Sequence, residues 1–230
     1  MGTPILFIAS LGAVSTVGFF AWYFSAYKRN LRAIRKHACS AIRDVKHGEI
    51  VRIEGTMQPL DKPLFAPISG RPCAHYEVTV AEWVRRQKNS GWSTIAEEKR
   101  TVSFSLADGT GFAHVETKSF VASVAQDKHL ESEAFEEPPQ RILDLLRRHG
   151  CDLQTLFGRQ KRFQYREGVL EPGEALIVVG RARWEDDPSG AMEESEGYRE
   201  QRRKQRLVIE DHDDHVRATD DLVAFGGSSD

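Results

Sequence analysis

The sequence predicts a mainly β protein, a small barrel or meander with one inserted helix, carried behind an N-terminal membrane-spanning helix. Three observations lead there. Residues 5–27, ILFIASLGAVSTVGFFAWYFSAY, carry no charge. Residues 48–184 are filled largely by short segments in which apolar and polar residues alternate between turn signals. Within them, residues 139–150 switch to a helical period.

A bilayer core about 30 Å thick needs roughly 20 apolar helical residues to cross it, and the uncharged run supplies them. Trp22, Tyr23 and Tyr27 gather at its C-terminal end, where amphipathic rings favour the headgroup layer. Lys28, Arg29, Arg32, Arg35 and Lys36 follow, with no acidic residue before Asp44. Basic residues on that flank keep it cytoplasmic. A cleaved signal peptide would want basic residues ahead of a shorter core, and this run has neither. The expectation is a single-pass membrane protein anchored by residues 1–27, with its soluble domain in the cytoplasm.

In residues 28–47, Leu31, Ile34, Ala38, Ile42 and Val45 recur at steps of three and four. That period predicts an amphipathic helix continuing from the anchor. Its other face holds Arg32, Arg35, Lys36 and Arg43, and Lys28, Arg29, Arg32, Arg35 and Lys36 are candidate contacts for anionic lipid headgroups, about 1 kcal/mol each near the surface. The same cluster serves equally as a topology signal.

Residues 49–55 alternate as a half-buried strand, and the Pro- and Gly-rich residues 56–72 read as loop or short edge strand. Residues 75–83 and 92–101 make partner strands around a polar turn. Val102, Phe104 and Leu106 lead into Asp108-Gly109, a hairpin signal because both residues tolerate positive φ, and residues 112–117 pair back. Together these read as a β-meander. Pro138 and Pro139 open the helical interlude, whose apolar face is Ile142, Leu145 and Leu146 and whose stop is Gly150. Residues 163–169 resume as strand. Glu171-Pro172-Gly173-Glu174 is a type II turn, and residues 175–184, ALIVVGRARW, form the most apolar and hence central strand. Residues 185–206 are a charged loop or exposed helix, residues 207–225 a terminal hairpin around Asp211–Asp214, and residues 226–230 a disordered tail.

Composition adds limits. The net charge of −2 says little, because basic residues crowd the anchor and acidic ones follow later. Cys39, Cys73 and Cys151 form neither a CxxC pair nor a disulfide framework, which suits a reducing compartment. Strand density of this kind also fits an OB-like barrel, a fold that binds oligonucleotides. Trp83, Arg85, Arg86, Lys88 and Trp92 would make that surface, but a solvated hairpin tip explains them more cheaply, so nucleic acid is disfavoured as a partner.

Gly55, Leu64, Ala66, Pro67, Ser69, Gly70, Pro72, Cys73 and Tyr76 resemble the first motif of the GIDE domain. This domain is also called BAM ("beside a membrane") and occurs in MULAN/GIDE-type E3 ubiquitin ligases and in bacterial membrane proteins. Residues 104–111, FSLADGTG, are similar to its hairpin motif, with Asp108, Gly109 and Gly111. Residues 167–180 are similar to its "pGe-x-L-x-V-x-G" strand. The resemblance covers residues 39–184, in the family's order. It implies the membrane-proximal β module behind a transmembrane helix. The ligases of the family add a second transmembrane helix and a zinc-binding RING, which three scattered cysteines cannot supply.

The remaining motifs point to no chemistry. Cys73 with His75 at i+2 is better read as a packed thiol than a nucleophile. Asp211-His212-Asp213-Asp214-His215 reads as a polar tip rather than a metal site. Asp108-Gly109-Thr110-Gly111 lacks the Lys and helix of a phosphate loop. No catalytic residue, metal site or cofactor is expected. The function expected is a non-enzymatic binding or scaffold module beside the membrane, with a protein partner. The alternatives are a ubiquitin-transfer component acting through a partner and an OB-like nucleic-acid binder.

Overall fold

A computed structural model describes residues 14–59, 62–85, 90–124, 128–132, 139–151, 162–186, 205–213 and 215–225. Helix α1 spans Val14–Arg35, and strand β1 spans Ile50–Pro59. Two-residue strands β2 (Leu64–Phe65) and β3 (Pro72–Cys73) precede β4 (His75–Val84) and β5 (Gly91–Thr101). Then come β6 (Phe104–Ala107), β7 (Phe112–Val115), β8 (Phe120–Ser123) and β9 (Lys128–Ser132). Helix α2 (Gln140–Arg148) is followed by β10 (Phe163–Leu170), β11 (Ala175–Asp186), β12 (Gln205–Glu210) and β13 (Val216–Thr219).

Strands β1, β6, β7, β12 and β11 follow one another around a closed five-stranded barrel, since β11 pairs back to β1. Neighbours are antiparallel except β7 and β12, which run parallel. The alternation read in the sequence points Val51, Ile53 and Met57 of β1 inward to meet Phe104, Leu106, Val115, Leu176, Val178, Leu207 and Ile209. A second sheet, ordered β5-β4-β10-β9, takes β4 and β5 from the chain between β1 and β6, and β9 and β10 from the chain between β8 and β11. One face of this sheet carries Tyr76, Val78, Val80 and Tyr165. It is covered by Ile142, Leu145 and Leu146 of α2, each worth about 1.5–3 kcal/mol when fully buried. Gly150, at φ +69°, ends that helix as expected.

The strand β11 has both faces covered. Leu176, Val178 and Ala182 face the barrel core, while Ile177 and Val179 pack against Ile34 of α1. Burial on two sides explains why this segment lacks polar alternation.

Four readings are corrected. The strands of residues 48–117 are not a continuous meander: β1 pairs with β11, and β4 and β5 leave for the second sheet. The helix expected through residue 47 stops at Arg35. Beyond it the chain is captured by the barrel: Ser40 N donates to Arg52 O at 2.9 Å, and Ile42 and Val45 bury into the core. The terminal hairpin is also absent as a strand pair. His212 and His215 close a tight turn, but β12 and β13 run end to end along one edge of the long β11, pairing with different stretches of it. Finally, β8 and β9 have no counterpart in the sequence reading; β8 is four residues long and is held by parallel pairing to β13.

Residues 1–13 of the predicted span, and most of residues 185–206, lie outside the described residues. Among the described residues, no helix is long and apolar enough to cross a membrane. The last turns of α1 dock on the barrel. Asn30 donates to Ser123 Oγ at 3.0 Å and to Ala218 O at 3.1 Å, and Tyr27 donates to Asp221 at 2.8 Å.

Candidate functional site

The first sequence motif is a loop folded around a buried carboxylate. Glu167 of β10 is fully buried and accepts from Ile68 N at 2.6 Å and Ser69 N at 3.0 Å. The turn closes with Gly70 N donating to Ala66 O at 2.9 Å. Gly70 stands at φ +70°, and a Cβ there would lie 1.8 Å from Arg141 Nη1. Pro67 is buried and Pro72 begins β3, while Arg71 pairs with Glu171. These residues fasten the β2–β3 ribbon to the second sheet.

The second motif fastens the helix exit to the barrel. Asp108 accepts from Ile42 N at 2.7 Å, Thr110 N at 2.8 Å and Gly111 N at 3.0 Å. Burial raises this carboxyl, but the amides and the Thr110 hydroxyl outweigh it and hold it below the usual carboxylate range. Gly109 takes φ +80° in the turn, and a Cβ on Gly111 would reach Ile42 Cγ2 at 2.8 Å. At Gly55, a Cβ would lie 2.5 Å from Ala107 O, where β1 and β6 approach closely.

Cys73 and His75 do not work together. The Cys73 thiol is buried beneath the ribbon, donates to Leu64 O at 3.7 Å, and is pushed up to about 12, first by burial and then by Glu167 and Glu171. His75 instead meets Thr101, with Nδ1 2.7 Å from Oγ1. Tyr76 points to the opposite side of β4, toward α2, and donates to Glu98. Of the acidic run, His212 stacks edge-on against His37 with ring centres 5.9 Å apart. Asp214 lies outside the described residues, and among those described no group of three or more His, Cys, Asp or Glu is placed to hold a metal.

The polar face of the second sheet opens into a cleft of about 360 Å³ against β8. Its floor is His75, Glu77, Lys99 and Thr101; Thr117, Lys118 and Phe120–Ala122 form the facing wall. His75 is 2 % exposed and lies against the Phe120 ring at 5.4 Å. Its Nε2 stands 3.5 Å from Glu77 Oε1, at the outer limit of a hydrogen bond, and has no closer partner among the described residues. Lys99 Nζ lies 3.0 Å from Glu77 Oε2. Burial raises the Glu77 carboxyl, but His75 and Lys99 outweigh it and leave it below the usual range.

The GIDE family model, described as an E3 ubiquitin ligase, matches residues 75–216. The chain belongs to the GIDE family. No curated protein and no solved structure matches it. The match begins at His75, after Gly55, Ala66, Pro67, Ser69, Gly70, Pro72 and Cys73, and includes Tyr76, Asp108, Gly109 and Gly111. It extends past residue 184 to take in β12 and the start of β13.

The cleft of this GIDE chain was not recognised in the sequence. Alternation along β4 already placed His75, Glu77 and Thr79 on one face; their partners Thr101, Lys99 and Glu97 follow from register, but β8 does not. Among the basic candidates on α1 and just after it, Lys28, Arg29, Arg32 and Lys36 are exposed beside the buried Asn30, Leu31 and Ile34. Arg35 is exposed too, yet it donates to Ala224 O and lies 5.4 Å from the Phe225 ring centre. Trp83 and Trp92 pack on each other at 5.3 Å across the β4–β5 hairpin, with Arg162 over Trp92. Arg86 and Lys88 lie outside the described residues, and Arg85 is exposed.

Proposed function

We propose that this chain is a membrane-tethered, non-enzymatic binding or scaffold module. In this reading, residues 1–27 anchor it in the bilayer and the β domain lies on the cytoplasmic side. One observation carries the reading: Asn30, Leu31 and Ile34 of α1 are buried while Lys28, Arg29, Arg32 and Lys36 remain exposed around them. A helix held in lipid would thereby fix the barrel's orientation to the surface, and tethering raises the local concentration of partners without new contacts. The family motifs support a binding rather than a catalytic role, because their polar groups are occupied in fastening the fold.

Alkaline carbonate extraction of native membranes tests the tether. The full-length chain is expected to stay in the pellet; full-length chain released into the supernatant overturns it. Sidedness is read at exposed Cys39, which an impermeant maleimide should label only after cell lysis if the domain is cytoplasmic.

The family description favours a second reading, a ubiquitin-transfer component that relies on a partner for its zinc-binding RING. Ubiquitin transfer by the chain together with a co-purifying zinc-binding partner and activating and conjugating enzymes, lost when the chain is left out, would select that reading. The Greek-key order of the barrel, with its parallel β7–β12 pair, supports an OB-like fold. The tryptophans of the expected nucleic-acid surface, however, lie on the other sheet and bury against each other. Nucleic acid is not the favoured ligand.

A further inference from the structure

The β5–β8 cleft contains a buried imidazole, His75, whose Nε2 has no well-formed hydrogen bond among the described residues. Thr101 holds Nδ1, and the Glu77 carboxylate beside Nε2 selects the tautomer with its hydrogen on Nε2. That leaves a donor and an acceptor 3.5 Å apart, not joined by a well-formed hydrogen bond. A bare anion at this position would be repelled by Glu77, and an apolar group would leave Nε2 unpaired at a cost. A hydroxyl both accepts and donates, so it completes the pair.

The rim asks for something different. Lys99 pairs with Glu77 and stands 3.9 Å from Glu97, and Lys118 stands 3.6 Å from Glu116, so the rim offers two ammonium groups without a net positive charge. Lys118 is 83 % exposed and only loosely held by Glu116. Among the described residues no arginine lines the cleft; the planar fork that suits carboxylates is not offered there, while ammonium groups act as point charges for phosphate. Phe120, Val121 and Ala122 offer an apolar wall for a carbon skeleton, and a volume near 360 Å³ lies within the usual range for small ligands.

We propose that this cleft binds a small phosphorylated polyol, with hydroxyls bridging His75 and Glu77 and the phosphate at Lys99 and Lys118. Because α1 packs against both β5 and β8, the same chemistry is available from a lipid headgroup or from a free sugar phosphate. The proposal deepens the binding-module reading, but its assay uses soluble ligand and does not depend on the tether. Loss of membrane attachment and loss of ligand binding are therefore separate results.

The test titrates the full chain, in nanodiscs of phosphatidylcholine, with myo-inositol 1-phosphate and glycerol 3-phosphate. Calorimetry and the imidazole NMR signal of His75, assigned with His75→Gln, provide the readouts. Saturable binding of at least one ester is expected, with a shift at His75. Myo-inositol and inorganic phosphate should each bind at least about tenfold more weakly, since each retains only part of the contacts. Lys118→Glu, at an exposed site that leaves the fold intact, should weaken binding about tenfold and reduce its salt dependence. Glu77→Gln should weaken it similarly. Nanodiscs containing phosphatidylinositol that displace the soluble ester identify a lipid headgroup as the source; failure to displace it identifies a free ester. No saturable response at millimolar ester, or binding unchanged by Lys118→Glu, overturns the proposal.

Discussion

Replacing Glu167 tests whether the motif loop is a structural fastener. The side chain is fully buried and satisfies two amides, Ile68 N and Ser69 N. Hydrogen bonds to a charged acceptor contribute about 1.5–3 kcal/mol each. Removal also relieves the cost of burying the charge, so Glu167→Ala should destabilise by about 2–4 kcal/mol. Glu167→Gln keeps the shape but turns an amide donor toward one of the two N–H groups, for about half that loss. In a chain of this size the Ala variant should melt about 5–15 °C lower. The assay is urea unfolding at neutral pH in a Cys39→Ser/Cys151→Ser background. Cys73 serves as a second probe because the ribbon buries it and its thiol stands at about 12. Faster labelling of Cys73 is expected once the loop opens. A Glu167→Ala loss under about 0.5 kcal/mol, typical of an indifferent surface site, with Cys73 still protected, would refute the reasoning.

Other predictions follow from the same geometry. Gly55→Ala meets the Ala107 backbone at 2.5 Å and should cost about 2–3 kcal/mol by overpacking. Gly109→Ala has open space but φ +80°, and should cost about 1 kcal/mol; thermal melts of the pair should preserve that order. Asn30→Ala removes two of the hydrogen bonds that hold α1, to Ser123 of β8 and Ala218 of β13, and should speed tryptic cleavage at Arg29 and Arg32. Burial raises the Glu98 carboxyl, but the Tyr76 hydroxyl and Arg148 outweigh it and leave it lowered. Its stabilisation is therefore present above the unfolded value near 4.3 and lost as pH falls through the folded one; Arg148→Ala should flatten that acid limb in urea titrations. Tyr76 runs the other way, pushed up to about 12 by burial and by Glu98. Its stabilisation holds below about 10 and disappears toward pH 12, and Tyr76→Phe should remove that alkaline loss.

Local pattern determined most of the elements in this chain. Alternation gave β1, β4 and β6, and the apolar run of residues 175–184 gave β11; Asp108-Gly109 and Pro172-Gly173 gave turns whose glycines take positive φ; and the Ile142, Leu145, Leu146 spacing gave α2. These properties reside within a few consecutive residues, where sterics and burial periodicity act directly. Only the tertiary structure decided which strands close the barrel, where α1 ends, and what the motif residues do. Glu167 reaches the amides of Ile68 and Ser69, and Asp108 reaches Ile42, from distant parts of the chain. The cleft likewise joins β4 and β5 to β8, a short strand held by β13. Such pairings depend on loop closure and on which faces remain to be buried once the barrel has formed, and neither leaves a periodic mark in the residues that meet.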